Sequence, residues 1–328
     1  MWYLKGLSVI VFLLSSGAAV GQGSADGYPS RPVTLILPFS AGGPTELIVR
    51  LYATRMSELT GQPFLIDYKP GAGGTLGAAF VAKAKPDGYT LLGSGASFTA
   101  GPALYKDLPF DTVKDFAPIF LMSQSPFVLV SSAGFPAKTF AEYLAFAKTN
   151  PGKINLGTSG ASSTQHLLGA WLHSATNTKV TFVHYKGAGP QVIELLAGRL
   201  DVGLFPALLI AQHVKTGKLR ALAMTDVNRS KLLPDIPSIA DQGIPEFHYT
   251  LWTGALGPAA TPAVIVIKLG DAFLRASRSA DIAATLEAQD AVPSGGGNSA
   301  AQLAKIVVTE TALWRRLVRE NDIKAESD

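Results

Sequence analysis

From Val33 onward, short apolar runs alternate with longer segments in which apolar residues recur at intervals of three and four. Runs of the first kind fit buried strands, and segments of the second kind fit helices with one face on a core, so the alternation predicts βαβ units. VTLILPF (33–39), PFLIDY (63–68) and YTLLGSG (89–95) read as strands, separated by helices at TELIVRLYATRMSEL (45–59) and TLGAAFVAKAK (75–85). DFAPIFLMSQSPFVLVSS (115–132) stays apolar for longer and reads as one strand or two leaving this unit. A second series follows, with helices at 140–150, 163–175, 190–200 and 207–216 and strands at 154–159, 180–185, 201–205 and 219–225. The last third holds one strand, YTLWTGALG (249–257), and two helical segments at 262–289 and 299–321.

A chain of 328 residues exceeds one ordinary core and fits two domains or one large α/β domain, with two lobes the first expectation. Half a sheet, a whole second unit and then more helix is an odd order for consecutive domains. It is natural if the chain leaves a first lobe near Val128, builds a second, and returns near Leu222. The expected division is 26–129 with 225–328 as lobe 1, discontinuous, and 130–224 as lobe 2. Two strand-like crossings between lobes make a hinge.

Ahead of this pattern, residues 1–25 run from one cation (Lys5) through an apolar stretch (Leu7 to Leu14) to small residues, the layout of a secretory signal peptide. The apolar stretch is shorter than the roughly 20 residues that span a bilayer. A cut before Gln22 or before Asp26 fits the small residues there, and the mature protein is expected in the periplasm. There are no cysteines, so neither disulfides nor thiolate metal sites are available. The formal charge is +4 with Lys and Arg scattered singly, which argues against nucleic acid as a partner.

The candidate chemistry sits where predicted strands end. PFSAGGPTE (38–46), GSGAS (93–97), GTSGASSTQ (157–165) and YKGAGP (185–190) are small, polar, glycine-containing junctions at the carboxyl edge, where open α/β sheets bind ligands. PFSAGGPTE and YKGAGP each open a helix, and the first leaves backbone N–H groups unpaired at the helix start, a seat for an anion. The residues singled out are Phe39, Ser40, Ala41, Gly42 and Gly43; Ser94, Gly95, Ala96 and Ser97; Thr158, Ser159, Gly160, Thr164, Gln165 and His166; and Tyr185, Lys186 and Gly187. PGAGGTLG (70–77) misses the dinucleotide spacing by one position and reads as a tight turn with close helix packing. No phosphate-binding P-loop and no G-x-S-x-G nucleophile elbow occurs, and no histidines have a zinc-ligand spacing. The expectation is no metal, no cofactor and no catalysis.

YPSRPVTLILPFSAGGPTE, PGAGGTLGA, PDGYTLL, PALYKDLPFDTVKDFAPI, GTSGASSTQHL, VHYKGAGP, GKLRALAMT and LPDIPSIADQG resemble, in order and spacing, the extracytoplasmic solute-binding receptors of tripartite tricarboxylate transporters, the Bug family. The resemblance runs from about residue 28 to the end. It implies a two-lobed, type II-like periplasmic-binding-protein fold, each lobe a mixed sheet flanked by helices, with two crossover strands. It also implies a monomer that captures a small organic acid and hands it to membrane permease subunits. In the family, the loop matching PFSAGG and a loop of the other lobe hold the ligand carboxylate through backbone amides and water.

Two positions depart from the family pattern. Glu46 stands where an aspartate often closes the first loop, and Phe205 with Pro206 falls where many relatives carry Asp-Asn facing the ligand. Phe205 in the pocket would favour an acid with an aromatic or apolar body over an amino acid. Two other readings stay open: a secreted serine-type hydrolase drawing on His166 or His184 as base, and a ligand-sensing partner of a signalling protein.

Overall fold

The computed structural model describes residues 27–39, 44–105, 107–160, 163–185, 187–227, 230–292, 299–321 and 323. The expected export segment with its cut sites, Ser40 to Gly43, and Lys186 lie outside the described residues.

Among the described residues nine strands form one sheet made of two halves, eight of them on a single hydrogen-bonded path and one beside it. The first half runs β2 (Phe64–Tyr68), β1 (Val33–Leu37), β3 (Thr90–Gly95), β9 (Thr250–Pro258) and β4 (Phe116–Ser132). The second runs from β4 to β7 (Val202–Pro206), β5 (Asn155–Thr158) and β6 (Thr181–His184), with β8 (Leu219–Met224) on the other side of β4. In each half three strands are parallel, β2-β1-β3 and β7-β5-β6, and antiparallel pairs to β9, β7 and β8 join them to β4. The long apolar segment is therefore a single strand of 17 residues shared by both halves. Phe116 to Pro126 pairs with β9, and Phe127 to Ser132 pairs with β7 and β8. Register slips between Pro118 and Phe120, Leu121 and Ser123, and Leu129 and Val130 bend it on the way.

At the changeover Thr225 is fully buried, its hydroxyl donating to Tyr249 O at 2.7 Å and accepting from Phe127 N at 3.0 Å. One side chain thus ties β4, the end of β8 and the start of β9.

Among the described residues ten α-helices cover the sheets: α1 (Pro44–Thr60), α2 (Thr75–Ala82), α3 (Ala96–Leu104), α4 (Phe140–Thr149), α5 (Thr164–Ala175), α6 (Ala188–Leu196), α7 (Ala207–Lys215), α8 (Ala263–Ser277), α9 (Ala280–Ala288) and α10 (Ser299–Glu320). Two differ from the pattern reading. α3 forms where the sequence reads only as a loop, because Gly101 and Pro102 interrupt its apolar period. The segment at 262–289 breaks at Ser279, whose backbone is extended and whose hydroxyl closes the end of α8 by donating to Ala276 O at 2.7 Å.

Each parallel unit has its own core. Val33, Leu35, Val49, Tyr52 and Phe273 anchor one between β1, α1 and α8, and Leu156, Leu168, Trp171 and Leu204 anchor another around β5 and α5. Trp314 and Leu317, near the end of α10, pack into the second of these cores. Glu46 has a structural task, accepting from Arg50 and, at 2.5 Å, from the Tyr68 hydroxyl, so that the first turn of α1 is clamped to β2.

Candidate functional site

Five strands end on one edge, and each hands over to a helix: β1 to α1, β3 to α3, β5 to α5, β6 to α6 and β7 to α7. The starts of those five helices line a single cavity of about 560 Å³, through Thr45 and Ile48, Ser97, Thr164 and Gln165, Ala188, and Leu208 and Leu209. The shared strand β4 and its neighbour β9 close it, with Ser123, Ser125 and Phe127 of β4 at a spacing of two and Leu251 and Thr253 of β9 likewise. Among the described lining residues there is no Asp, Glu, Lys, Arg or His. Among the described residues no three acidic or histidine side chains are grouped to hold a metal.

The β3–α3 junction is built tightly and left open at its donors. Gly95 pairs with Thr253, and a Cβ there would meet Trp252 O at 2.5 Å, so only glycine lets β3 lie this close to β9. Its lack of a side chain also leaves the start of α3 without a side-chain cap. Behind this helix, the Glu310 carboxylate of α10 accepts from Thr99 Oγ1 at 2.7 Å and Trp252 Nε1 at 3.0 Å, while Trp314 Nε1 donates to Thr99 Oγ1 at 3.3 Å. Desolvation pushes the Glu310 carboxyl up to about 7, against the pull of these donors.

The β5–α5 junction satisfies itself. Ser163 caps α5 by accepting from His166 N at 3.3 Å, and its hydroxyl donates to Gly160 O at 2.8 Å. Thr158 donates to the same carbonyl at 3.1 Å and pairs with His184 Nδ1 at 2.6 Å. Gln165 is fixed from behind: its Nε2 donates to Leu204 O at 2.7 Å and its Oε1 accepts from Gln191 Nε2 at 3.0 Å. At the far end of α5, His173 bonds Tyr143 at 2.9 Å and Thr178 at 2.6 Å, and burial lowers it to about 4.

Of the described residues singled out in the sequence, Ser97, Ser159, Thr164 and Gln165 line the cavity. Ser94, Ala96 and Thr158 are buried beside it and do not line it. Phe39 lies against Gly74, and His166 packs on Phe182 and His184 at ring distances of 4.4 and 4.9 Å. Tyr185 is half-buried, its N–H donating to Thr158 O at 2.9 Å. Gly160 and Gly187 turn the chain at φ 143° and 103°. The placement of Phe205 in the pocket is corrected: its ring is fully buried with Val128, Val130, Leu195 and Ile210, folded over Gly203, where a Cβ would meet it at 2.4 Å. Pro206 and the leucines after it line the cavity instead.

PGAGG is a tight turn as read, with φ positive at Gly71, Gly73 and Gly74, and Gly77 brings α2 onto Pro38; yet Gly73 also lines the cavity. The lining residues that the sequence reading missed include Ser123, Ser125 and Phe127 of β4, Leu251 and Thr253 of β9, and the turn of α3 at Ala100, Gly101 and Leu104. Ser123 and Ser125, polar in an otherwise apolar run, are the signal that was there to find those of β4.

Residues 48–323 match the family described as "Tripartite tricarboxylate transporter family receptor". BugT of Bordetella pertussis is 31% identical over 322 residues, covering 97% of this chain and 98% of that protein. The solved structure of Rpa4515 of R. palustris with adipate has a TM-score of 0.74 at 30% identity, over 90% of this chain and 99% of that one. MatC of Rhodopseudomonas palustris with bound malate has a TM-score of 0.73 at 31% identity, over 89% and 100%. The chain belongs to the Bug-type receptors of tripartite tricarboxylate transporters, solute-binding proteins rather than enzymes.

Proposed function

We propose that this receptor takes a small carboxylate in the 560 Å³ cavity and presents it to membrane permease subunits, working as an exported monomer. The observation that carries the ligand class is the convergence of five helix starts on a cavity whose described lining has no charged side chain. The starts of α3, α6 and α7 have no side-chain cap, so their first N–H groups are donors for an anion. Adipate and malate, bound by two relatives, are acids of the size considered.

Magnitudes allow this without an arginine. Micromolar binding needs about −8 kcal/mol. Hydrogen bonds to a charged group contribute roughly 1.5–3 kcal/mol each, so four or five reach that figure after ordering costs. The proposed seat is Ser97, Ser159, Thr164 and Gln165, with the loop at 39–43 that precedes Thr45, and Lys186 and Gly187 ahead of α6. In this reading the halves 26–129 with 225–328 and 130–224 close over the acid, hinged where β4 changes partners at Phe127.

Calorimetric titration of adipate and malate against their neutral diamides tests the reading. At least one acid should bind in the micromolar range and both amides should give no heat. Amides binding as tightly as their acids would overturn it.

A further inference from the structure

The first turn of α7 breaks the rule that the rest of that helix obeys. Ala207, Ile210 and Ala211 are buried and Val214 packs beside them, a stripe at i, i+3, i+4 and i+7 facing the core of β7 and β8. Leu208 and Leu209 lie off this stripe, where a polar residue is expected, and are 50% and 48% exposed. Of the exposed large hydrophobic side chains among the described residues, these two alone line the cavity. Neither is needed by the core.

We propose that Leu208 and Leu209 select an acid with an apolar body, a reading that rests on the carboxylate assignment above. The polar side chains of the cavity come from α1, α3, α5, β4 and β9, from Ser159 and Ser163 ahead of α5, and from Tyr105 and Gln289 just past α3 and α9, and α7 supplies none to it. A ligand lying along α7 with a methylene chain or ring covers the two leucines and removes apolar surface from water. A ligand placing a hydroxyl or ammonium against the two leucine side chains desolvates that group with no side-chain partner from α7. Phe127, Leu104 and Leu251 extend the apolar wall. The cavity therefore favours straight-chain or aromatic acids over hydroxy acids and amino acids.

The test is a set of calorimetric titrations on the whole mature protein and on the double variant Leu208→Gln, Leu209→Gln, with melting curves to confirm that the variant folds. The probes are adipate and shorter and longer straight-chain dicarboxylates, phenylacetate, malate, citrate and glutamate. Within the straight-chain series the unmodified protein should gain roughly threefold in affinity per added methylene until the cavity is filled. It should prefer adipate or phenylacetate over malate, citrate and glutamate by at least tenfold, and the double variant should lose that preference while keeping its affinity for malate. Malate, citrate or glutamate binding as well as adipate, or a variant weakened equally toward every acid, would overturn the role of the leucines and leave the carboxylate reading standing. No binding by any acid would bring down both. The methylene series needs no variant, so poor folding of the double variant would not shield the proposal.

Discussion

GSGAS at the end of β3 and GTSGASSTQ at the end of β5 are alike in composition and opposite in what they build. At the first, a glycine pressed against β9 starts α3 with no side-chain cap. At the second, Ser163 and Thr158 turn inward on Gly160 O, and one of the α5 donors is taken by the protein's own hydroxyl. The helices also differ in their anchors. α3 is held by a carboxylate with three donors around it, and α5 by a neutral histidine between two hydroxyls. Such junctions are therefore distinguished by whether a side chain competes with the ligand for the helix N–H groups.

The largest expected effect comes from closing the open junction. Gly95→Ala sets a Cβ 2.5 Å from a backbone oxygen, so β3 and β9 must part. A loss of about 1–3 kcal/mol in stability and a loss of adipate binding are expected, read by denaturant unfolding and calorimetry. Unchanged stability and affinity would mean that the close approach does not matter.

A smaller effect separates the two anchors by pH. Glu310 has a folded value above that of a free glutamate, so the native state holds its proton more tightly, and this contribution to stability falls as pH rises from about 4.5 to about 7. His173 is lowered, so its contribution is lost as pH falls from about 6.5 to about 4. The slopes oppose each other between these limits. Glu310→Gln, which keeps an acceptor for Thr99 and Trp252, should melt higher than the unmodified protein at pH 8 and about equally at pH 4.5. Its melting temperature should rise with pH through the histidine window. Equal melting of the two proteins at pH 8 would show that the carboxylate is not held at a cost.

The smallest effect tests the self-satisfied junction. Ser163→Ala should cost about 0.5–2 kcal/mol in unfolding, typical of a lost helix cap. Adipate affinity should change less than threefold, because the cap is not the ligand's donor. A large loss of affinity with little loss of stability would reverse the roles of the two junctions.

Much of this was legible in the chain, for physical reasons that vary by element. The strand-to-helix alternation follows from burial, and burial is written in apolar periodicity, so β1 with α1 and β5 with α5 appear where the pattern places them. α3 was not legible, because its start doubles as a glycine-serine loop and Pro102 interrupts its period; its stability comes from Thr99 and Phe98 packing on distant residues. Phe205 misled because a strand position names a face only once the neighbours are known. Gly203, two residues earlier on the same face, leaves the gap that its ring fills. Leu208 and Leu209 were visible as apolar residues off the helical stripe, but a cavity is needed before that irregularity acquires a meaning.

The central claim, that open helix N–H groups hold the acid, is tested most directly by following backbone amide resonances of the ¹⁵N-labelled protein during an adipate titration. The account predicts saturable downfield shifts at Ser97 and Phe98, in the uncapped first turn of α3, and little change at His166, whose N–H already bonds Ser163. Shifts at His166 with Ser97 and Phe98 unmoved would contradict it.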